Sequence, residues 1–213
     1  MQLEIISDTH GKHEFLTLKG ADVLVHCGDF SHGGREEIIS FLEWLSEQEH
    51  EHKILIAGNH DRWLGEMAEM EELKEDFRNF VFRSYGVIYL HDDSVLIDDI
   101  NFYGSPYSVT FYSWSFMESE EELTKRYKNI PDNTQVLLTH TPVRNILDKT
   151  SKGEYVGSKA LGHRVSELEH LQLHCCGHIH DSYGVMDVEG VTYVNASIEN
   201  WYGKEKESIV VRL

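Results

Sequence analysis

The sequence predicts an α/β fold in which two packed sheets are flanked by helices. Eleven short runs rich in Val, Ile and Leu recur along the 213 residues, each bounded by Gly, Asp, Asn or His. The opening order of strand, connection, strand, helix, strand is that of a parallel core. The later strands, joined by tight turns such as Asp187-Val188-Glu189-Gly190, read as antiparallel.

In chain order, Leu3 to Ser7 and Val23 to Cys27 are the first two strands. Arg35 to Glu49 follows as an amphipathic helix, because Ile38, Phe41, Leu42 and Leu45 fall at the i, i+3, i+4, i+7 spacing of one helical face. Ile54 to Ala57 is the third strand, and a helical stretch lies within Trp63 to Phe77. Strands are expected at Val87 to Leu90, Val95 to Ile97 and Asn101 to Tyr103, then a helix at Glu120 to Lys128. The strand Val136 to Thr139, a helix at Ser158 to Leu168, and strands at Leu173 to Cys176, Tyr183 to Val188, Val191 to Asn195 and Ile209 to Leu213 complete the series. No repeat, low-complexity tract or linker rich in Pro, Gly or Ser divides it, so one domain over residues 1–213 is expected. The acidic stretches Glu66 to Asp76 and Glu118 to Glu122 read as solvated helix faces.

Nineteen Lys plus Arg against thirty-seven Asp plus Glu leave a net charge of −18, which repels a polyanion over most of the surface. Long nucleic acid is therefore excluded as a partner. No run reaches the roughly 18 apolar residues that span a bilayer, and the start, MQLEIISDTHGKHEF, has neither a basic region nor an apolar one, so no membrane and a cytoplasmic location are expected. Cys27, Cys175 and Cys176 are an odd number without CxxC spacing and read as core thiols.

The chemistry lies at the ends of the predicted strands. Asp8-Thr9-His10 follows the first, Gly28-Asp29 the second and Gly58-Asn59-His60-Asp61 the third. His140 follows the Val136 strand, and Gly177-His178-Ile179-His180 follows the Leu173 strand. The carboxyl ends of parallel strands gather along one edge of an α/β sheet, so five distant segments can meet in one pocket. Taken singly, a DxH or a GD is a common turn sequence. GNHD and GHIH make little sense as packing, and the two imidazoles of GHIH, two residues apart in an extended segment, face the same way.

Carboxylates, an amide and imidazoles, with no thiolate, suit borderline to hard metal ions, and seven candidate ligands are too many for one tetrahedral ion. Two ions a few ångströms apart can activate water and clamp a phosphoryl group.

The ordered set DTH, GD, GNHD, HTP and GHIH resembles the calcineurin-like metallophosphoesterase superfamily, over Asp8 to His180. GDFSHGG, KILIAGNHD, FYGSPY, THTPVRNILDK, VGSKAL and GHIHDSYG followed by TYVNAS are similar to its small metallophosphoesterase-domain-containing subfamily, related to class III cyclic-nucleotide phosphodiesterases. The resemblance implies a four-layer α/β/β/α sandwich with a dinuclear centre. It assigns Asp8, His10 and His180 to a first metal and Asn59, His140 and His178 to a second, with Asp29 bridging. The ions expected are divalent or trivalent, manganese first, with iron, zinc and nickel also accepted by this ligand set.

The implied reaction is in-line attack by a metal-bridging hydroxide on phosphorus, with His60 as the acid that protonates the leaving oxygen and Asp61 orienting its ring. The alternative for His60 is a further ligand. The expected substrate is a small phosphodiester, a cyclic nucleotide or an aryl diester. A phosphomonoesterase or protein phosphatase is the enzymatic alternative, and a non-catalytic scaffold of the same fold the third. On the substrate side, Tyr107 and Trp114, in the aromatic-rich stretch after a strand, are candidates to stack on a base or aryl group, against the reading that they pack the core. Arg62 and Arg144 are candidates to grip phosphate, against surface ion pairing. Oligomeric state is not written in these motifs.

Overall fold

The computed structural model describes residues 1–68, 71–199 and 206–213. Strands β1 (Gln2–Ile6), β2 (Val23–Cys27), β3 (His52–Ile56) and β4 (Ile88–Tyr89) lie parallel in sequence order, with β13 (Ile209–Arg212) antiparallel on the outside of β1. Helices α1 (Arg35–Ser46), α2 (Arg62–Ala68) and α3 (Glu71–Tyr85) connect these strands. The second sheet is built from β5 (Asp93–Ile97), β6 (Ile100–Ser105), β9 (Val136–Thr139), β10 (Leu173–Cys176), β11 (Gly184–Val188) and β12 (Val191–Asn195). Its order is β11-β12-β10-β9-β6-β5, with β6, β9, β10 and β12 parallel and the outer strands antiparallel. A small pair, β7 (Ser108–Val109) and β8 (Met117–Glu118), precedes α4 (Glu120–Tyr127); α5 (Lys159–Val165) precedes β10.

Three apolar cores define four layers. Leu3, Ile5, Val25 and Ile56 of the first sheet pack against Phe102, Val136, Leu138 and Cys175 of the second. The alternate residues Ile6, Leu24 and Leu55 face outward and meet Phe41, Leu42 and Leu45 of α1 and Val81 of α3. Leu137 and Tyr193, on the far face of the second sheet, are covered by Leu123 and Tyr127 of α4 and Leu161 of α5. The α/β/β/α sandwich therefore follows from strands that are apolar on both faces, as central parallel strands must be.

All eleven expected strands are present, and the three thiols are buried. The helical stretch within Trp63 to Phe77 is two helices, and the second runs on to Tyr85. Of the acidic stretches, Glu66, Glu75 and Asp76 are solvated, whereas Glu69 lies outside the described residues. In the other stretch Glu121 and Glu122 are solvated on α4 as expected, whereas Glu118 and Glu120 are half-buried and paired. Ser119 and Glu122 form a capping box that starts α4, and Glu118 pairs with Arg126. Glu120 accepts hydrogen bonds from Ser158 Oγ, Lys159 N and Ala160 N, at 3.0, 2.8 and 2.9 Å, and so caps α5.

His174 on β10 is buried and bonds through Nε2 to Thr139 Oγ1 at 2.7 Å. Burial pulls its pKa down to about 3. An unfolded imidazole titrates near 6.5, so between those values the unfolded chain binds the extra proton and stability falls as pH falls. From about pH 6.5 to about pH 5 this ring alone is expected to remove about 2 kcal/mol. Urea midpoints at the two pH values check it: His174→Gln should flatten the dependence, and an unchanged slope would refute the assignment.

Candidate metal centre

The carboxyl ends of β1, β2 and β3 and those of β9 and β10 open on one edge of the sandwich, and the loops leaving them are laced together. Asp8 N donates to Gly28 O at 2.9 Å, His10 N to Asp29 O at 3.1 Å and Gly177 N to His140 O at 3.1 Å. Asp8, His10, Asp29 and His178 all hold left-handed backbone, with φ of 56°, 42°, 57° and 68°. Such conformations cost of order 1 to 3 kcal/mol each and persist where the surroundings enforce them. Close approach also requires residues without a side chain. A Cβ on Gly58 would strike the Asp29 carboxylate and come within 2.7 Å of His140, and one on Gly177 would strike Ser7 and Asp8.

Two triads result. Asp8, His10 and His180 offer ligand atoms within 4.8 Å of one another, and so do Asp29, His140 and His178. Asp29 Oδ2 lies 3.2 Å from His140 Nε2 and 3.9 Å from His10 Nε2, which places it between the triads. Its other oxygen accepts from His60 N at 2.7 Å. Asn59 Oδ1 stands 3.0 Å from His140 Nε2. The seven residues read from the strand ends thus meet at one place.

The donor set fits metal ions. His10 Nε2 is buried and has no hydrogen-bond partner among the described residues, a cost that a bound cation removes. His140 Nδ1 is 2.8 Å from Cys27 O and donates to it, which orients the ring so that Nε2 faces Asp29 and Asn59. Burial works to raise the Asp8 carboxyl, but His180, with His140 and His10, holds it well below the ordinary range. Asp29 is held at about 2 by His140 against the same burial. Burial lowers His178 to about 4, so its ring is neutral and able to ligate.

The family model for calcineurin-like phosphoesterases matches residues 1–182. The chain belongs to that family. It is 35% identical over 210 residues to human metallophosphoesterase domain-containing protein 1, covering 91% of this chain and 64% of the relative, and so spans just under two thirds of that protein's length. A UPF0046 protein of Caenorhabditis elegans is 33% identical over 206 residues, covering 92% and 69%. Phosphopantetheinyl hydrolase from Mycobacterium tuberculosis superposes with a TM-score of 0.62 at 17% identity, covering 92% of this chain and 89% of that one, which shows a shared fold. The family's centre is dinuclear and divalent, in keeping with the two triads.

Around this cluster the outer residues divide. The His60 ring stands edge-on to His10, centroids 4.9 Å apart, and lies 4.4 Å from the half-buried Trp114 ring, tilted by 31°. Exposed Arg62 places its guanidinium 5.8 Å from the Trp114 ring and donates to His32 O at 3.0 Å. Arg144 is half-buried in the loop after His140, its main chain bonded to Ser158 O at 3.0 Å.

Two expectations are corrected. Asp61 does not orient His60: its buried carboxylate accepts from Asp29 N (3.0 Å), Gly58 N (2.8 Å), Ser31 N (3.0 Å) and Ser31 Oγ (2.8 Å). Burial and the charge of Asp29 push it up to about 8, against the pull of those donors. Tyr107 serves packing. Its ring lies under the Arg126 guanidinium at 3.3 Å and edge-on to Phe116, and its carbonyl accepts from Tyr127 Oη at 2.9 Å.

Sequence reasoning missed Glu199, whose carboxylate reaches His10 and His180. It follows an apolar strand, as the other site residues do, but four residues past the end of β12 and outside any recognisable motif. No helix among the described residues is long and apolar enough to cross a membrane.

Proposed function

We propose that this chain hydrolyses small phosphodiesters, cyclic nucleotides or aryl diesters, in the cytoplasm and with manganese as the first choice of ion. In this reading Asp8, His10 and His180 hold one ion, Asn59, His140 and His178 hold the other, and Asp29 lies between them. Two divalent ions supply Lewis acidity and an activated water. Asn59 is a neutral donor and leaves more positive charge for an anionic substrate than a carboxylate would. His60 stands at the margin of the cluster, beside His10, where it can hand a proton to the leaving oxygen. Arg62 adds a cation at the same margin.

The observation that carries the diester reading is the half-buried Trp114 ring, 4.4 Å from the His60 ring and tilted by 31° to it. An aromatic surface beside the proton donor suits an organic substituent on the leaving side, and a base or aryl group stacks on such a face. Rates on bis-p-nitrophenyl phosphate and p-nitrophenyl phosphate with manganese test it. Diester turnover in excess is expected; a monoester preference above about tenfold, some 1.4 kcal/mol of transition-state discrimination, would sink it. Ion uptake without turnover of either compound would leave a scaffold.

His60→Ala is expected to slow diesters with poor leaving groups by about 10²-fold or more while sparing activated aryl esters, because only the former need the proton. Equal losses on both would reject the acid role and favour the ligand reading.

A further inference from the structure

The loop after β2 sets one more imidazole beside the cluster. The His32 ring lies 5.6 Å from the His10 ring, centroid to centroid, and His60 stands 4.9 Å from that same ring. The two loops that carry them are joined by Trp63 N donating to Gly33 O at 3.2 Å. His32 belongs to neither triad, and its side chain is 61% exposed, yet it does not hang free. Both oxygens of Glu37, on α1, go to this one residue: Oε2 accepts from His32 N at 2.7 Å, and Oε1 lies 2.8 Å from Nδ1. Arg62 holds the main chain from the other side, donating to His32 O at 3.0 Å. Gly11, with φ of 71°, leaves room for the clamp, because a Cβ there would come within 2.8 Å of Glu37 Oε1. Exposed ion pairs usually join two mobile side chains and fix little. This one fixes a ring.

The clamp also sets what the ring can recognise. Burial works to raise the Glu37 carboxyl, but the bonds from the His32 ring and main chain hold it below the ordinary range. An ionised carboxylate only accepts, so Nδ1 carries the proton and Nε2 of the neutral ring is left as an acceptor. Such an atom binds a hydroxyl; a phosphate oxygen, itself an acceptor, gains nothing from it. In a cyclic ribonucleotide one ribose hydroxyl is vicinal to the leaving oxygen, the atom that His60 serves in the reading above. We propose that His32, positioned by Glu37, accepts a hydrogen bond from that hydroxyl and so selects ribonucleotide over deoxyribonucleotide diesters. The inference rests on the phosphodiesterase reading and narrows its substrate class.

The test is kcat/KM with manganese on cyclic adenosine monophosphate and on its deoxyribose analogue, which lacks only that hydroxyl, for wild type, His32→Phe and Glu37→Ala. Each protein is its own reference, so losses of fold or metal cancel in the ratio. A hydrogen bond of ordinary strength makes the wild-type ratio about three- to tenfold in favour of the ribonucleotide. His32→Phe keeps the bulk of a ring without its nitrogens and should bring the ratio to about one. Glu37→Ala frees the ring and should bring it below about half the wild-type value. A wild type that does not discriminate, or a His32→Phe enzyme that still does, would overturn the role of His32, and full discrimination in Glu37→Ala would overturn that of the clamp. Wild type active on bis-p-nitrophenyl phosphate but on neither nucleotide would overturn this inference and leave the diester reading standing. Inactivity on all three would overturn both.

Discussion

Asp29→Ala is expected to lower phosphodiester turnover by at least the order of 10³, the scale on which a preorganised electrostatic contact acts on a transition state. The cause is positional. Asp29 Oδ2 is the oxygen that lies within reach of both His140 and His10, and its Oδ1 holds the main chain of His60. One substitution therefore removes the carboxylate shared by the triads and loosens the proposed proton donor. Ion content by mass spectrometry, read beside the rate, checks it: two ions and near-normal turnover in the variant would refute the shared role.

Asp61→Ala is expected to cost about 3 to 5 kcal/mol of stability, because each buried donor left without its acceptor costs about 1 to 3 kcal/mol. Three main-chain N–H groups, of Asp29, Ser31 and Gly58, lose their acceptor in a place water does not reach. For a chain of this size that corresponds to a melting temperature lower by on the order of 10 °C. Asp61→Asn keeps the shape and one acceptor oxygen, so its loss should be intermediate. A variant of unchanged stability that instead reproduced the leaving-group dependence of His60→Ala would restore the orienting role the sequence suggested.

Most of the fold was legible because its strands are short, apolar and ended by Gly or Asp, as in Val23 to Cys27 running into Gly28-Asp29. The far end of α3 was not. Phe80 and Phe82 are exposed there, so the apolar residues no longer mark one face beyond Phe77. β7 and β8, of two residues each, carry no period to read.

The ligand cluster was legible through its motifs, whereas the partners of its neighbours were not. His60 and Asp61 are adjacent in sequence, yet the turn sends one ring to the margin of the centre and the other side chain beneath two loops. Tyr107 and Trp114 share one aromatic stretch, but the Arg126 guanidinium that covers Tyr107 comes from α4. Glu199 arrives through a loop whose anchors, Ser7 and Lys206, are remote from it or beyond the motifs.

Each triad takes members from both sheets: Asp8 and His10 follow β1 and Asp29 follows β2, while His140, His178 and His180 follow β9 and β10. Ions held there would fasten the two halves of the sandwich at their open end, so the free energy of ion uptake becomes cohesion of the whole molecule. At free ion a hundred times the dissociation constant, each site adds about 2.7 kcal/mol. A chelator would then do more than halt chemistry: it would unlatch the seam, and the supply of metal in a cell would set how long the protein survives as well as how fast it works.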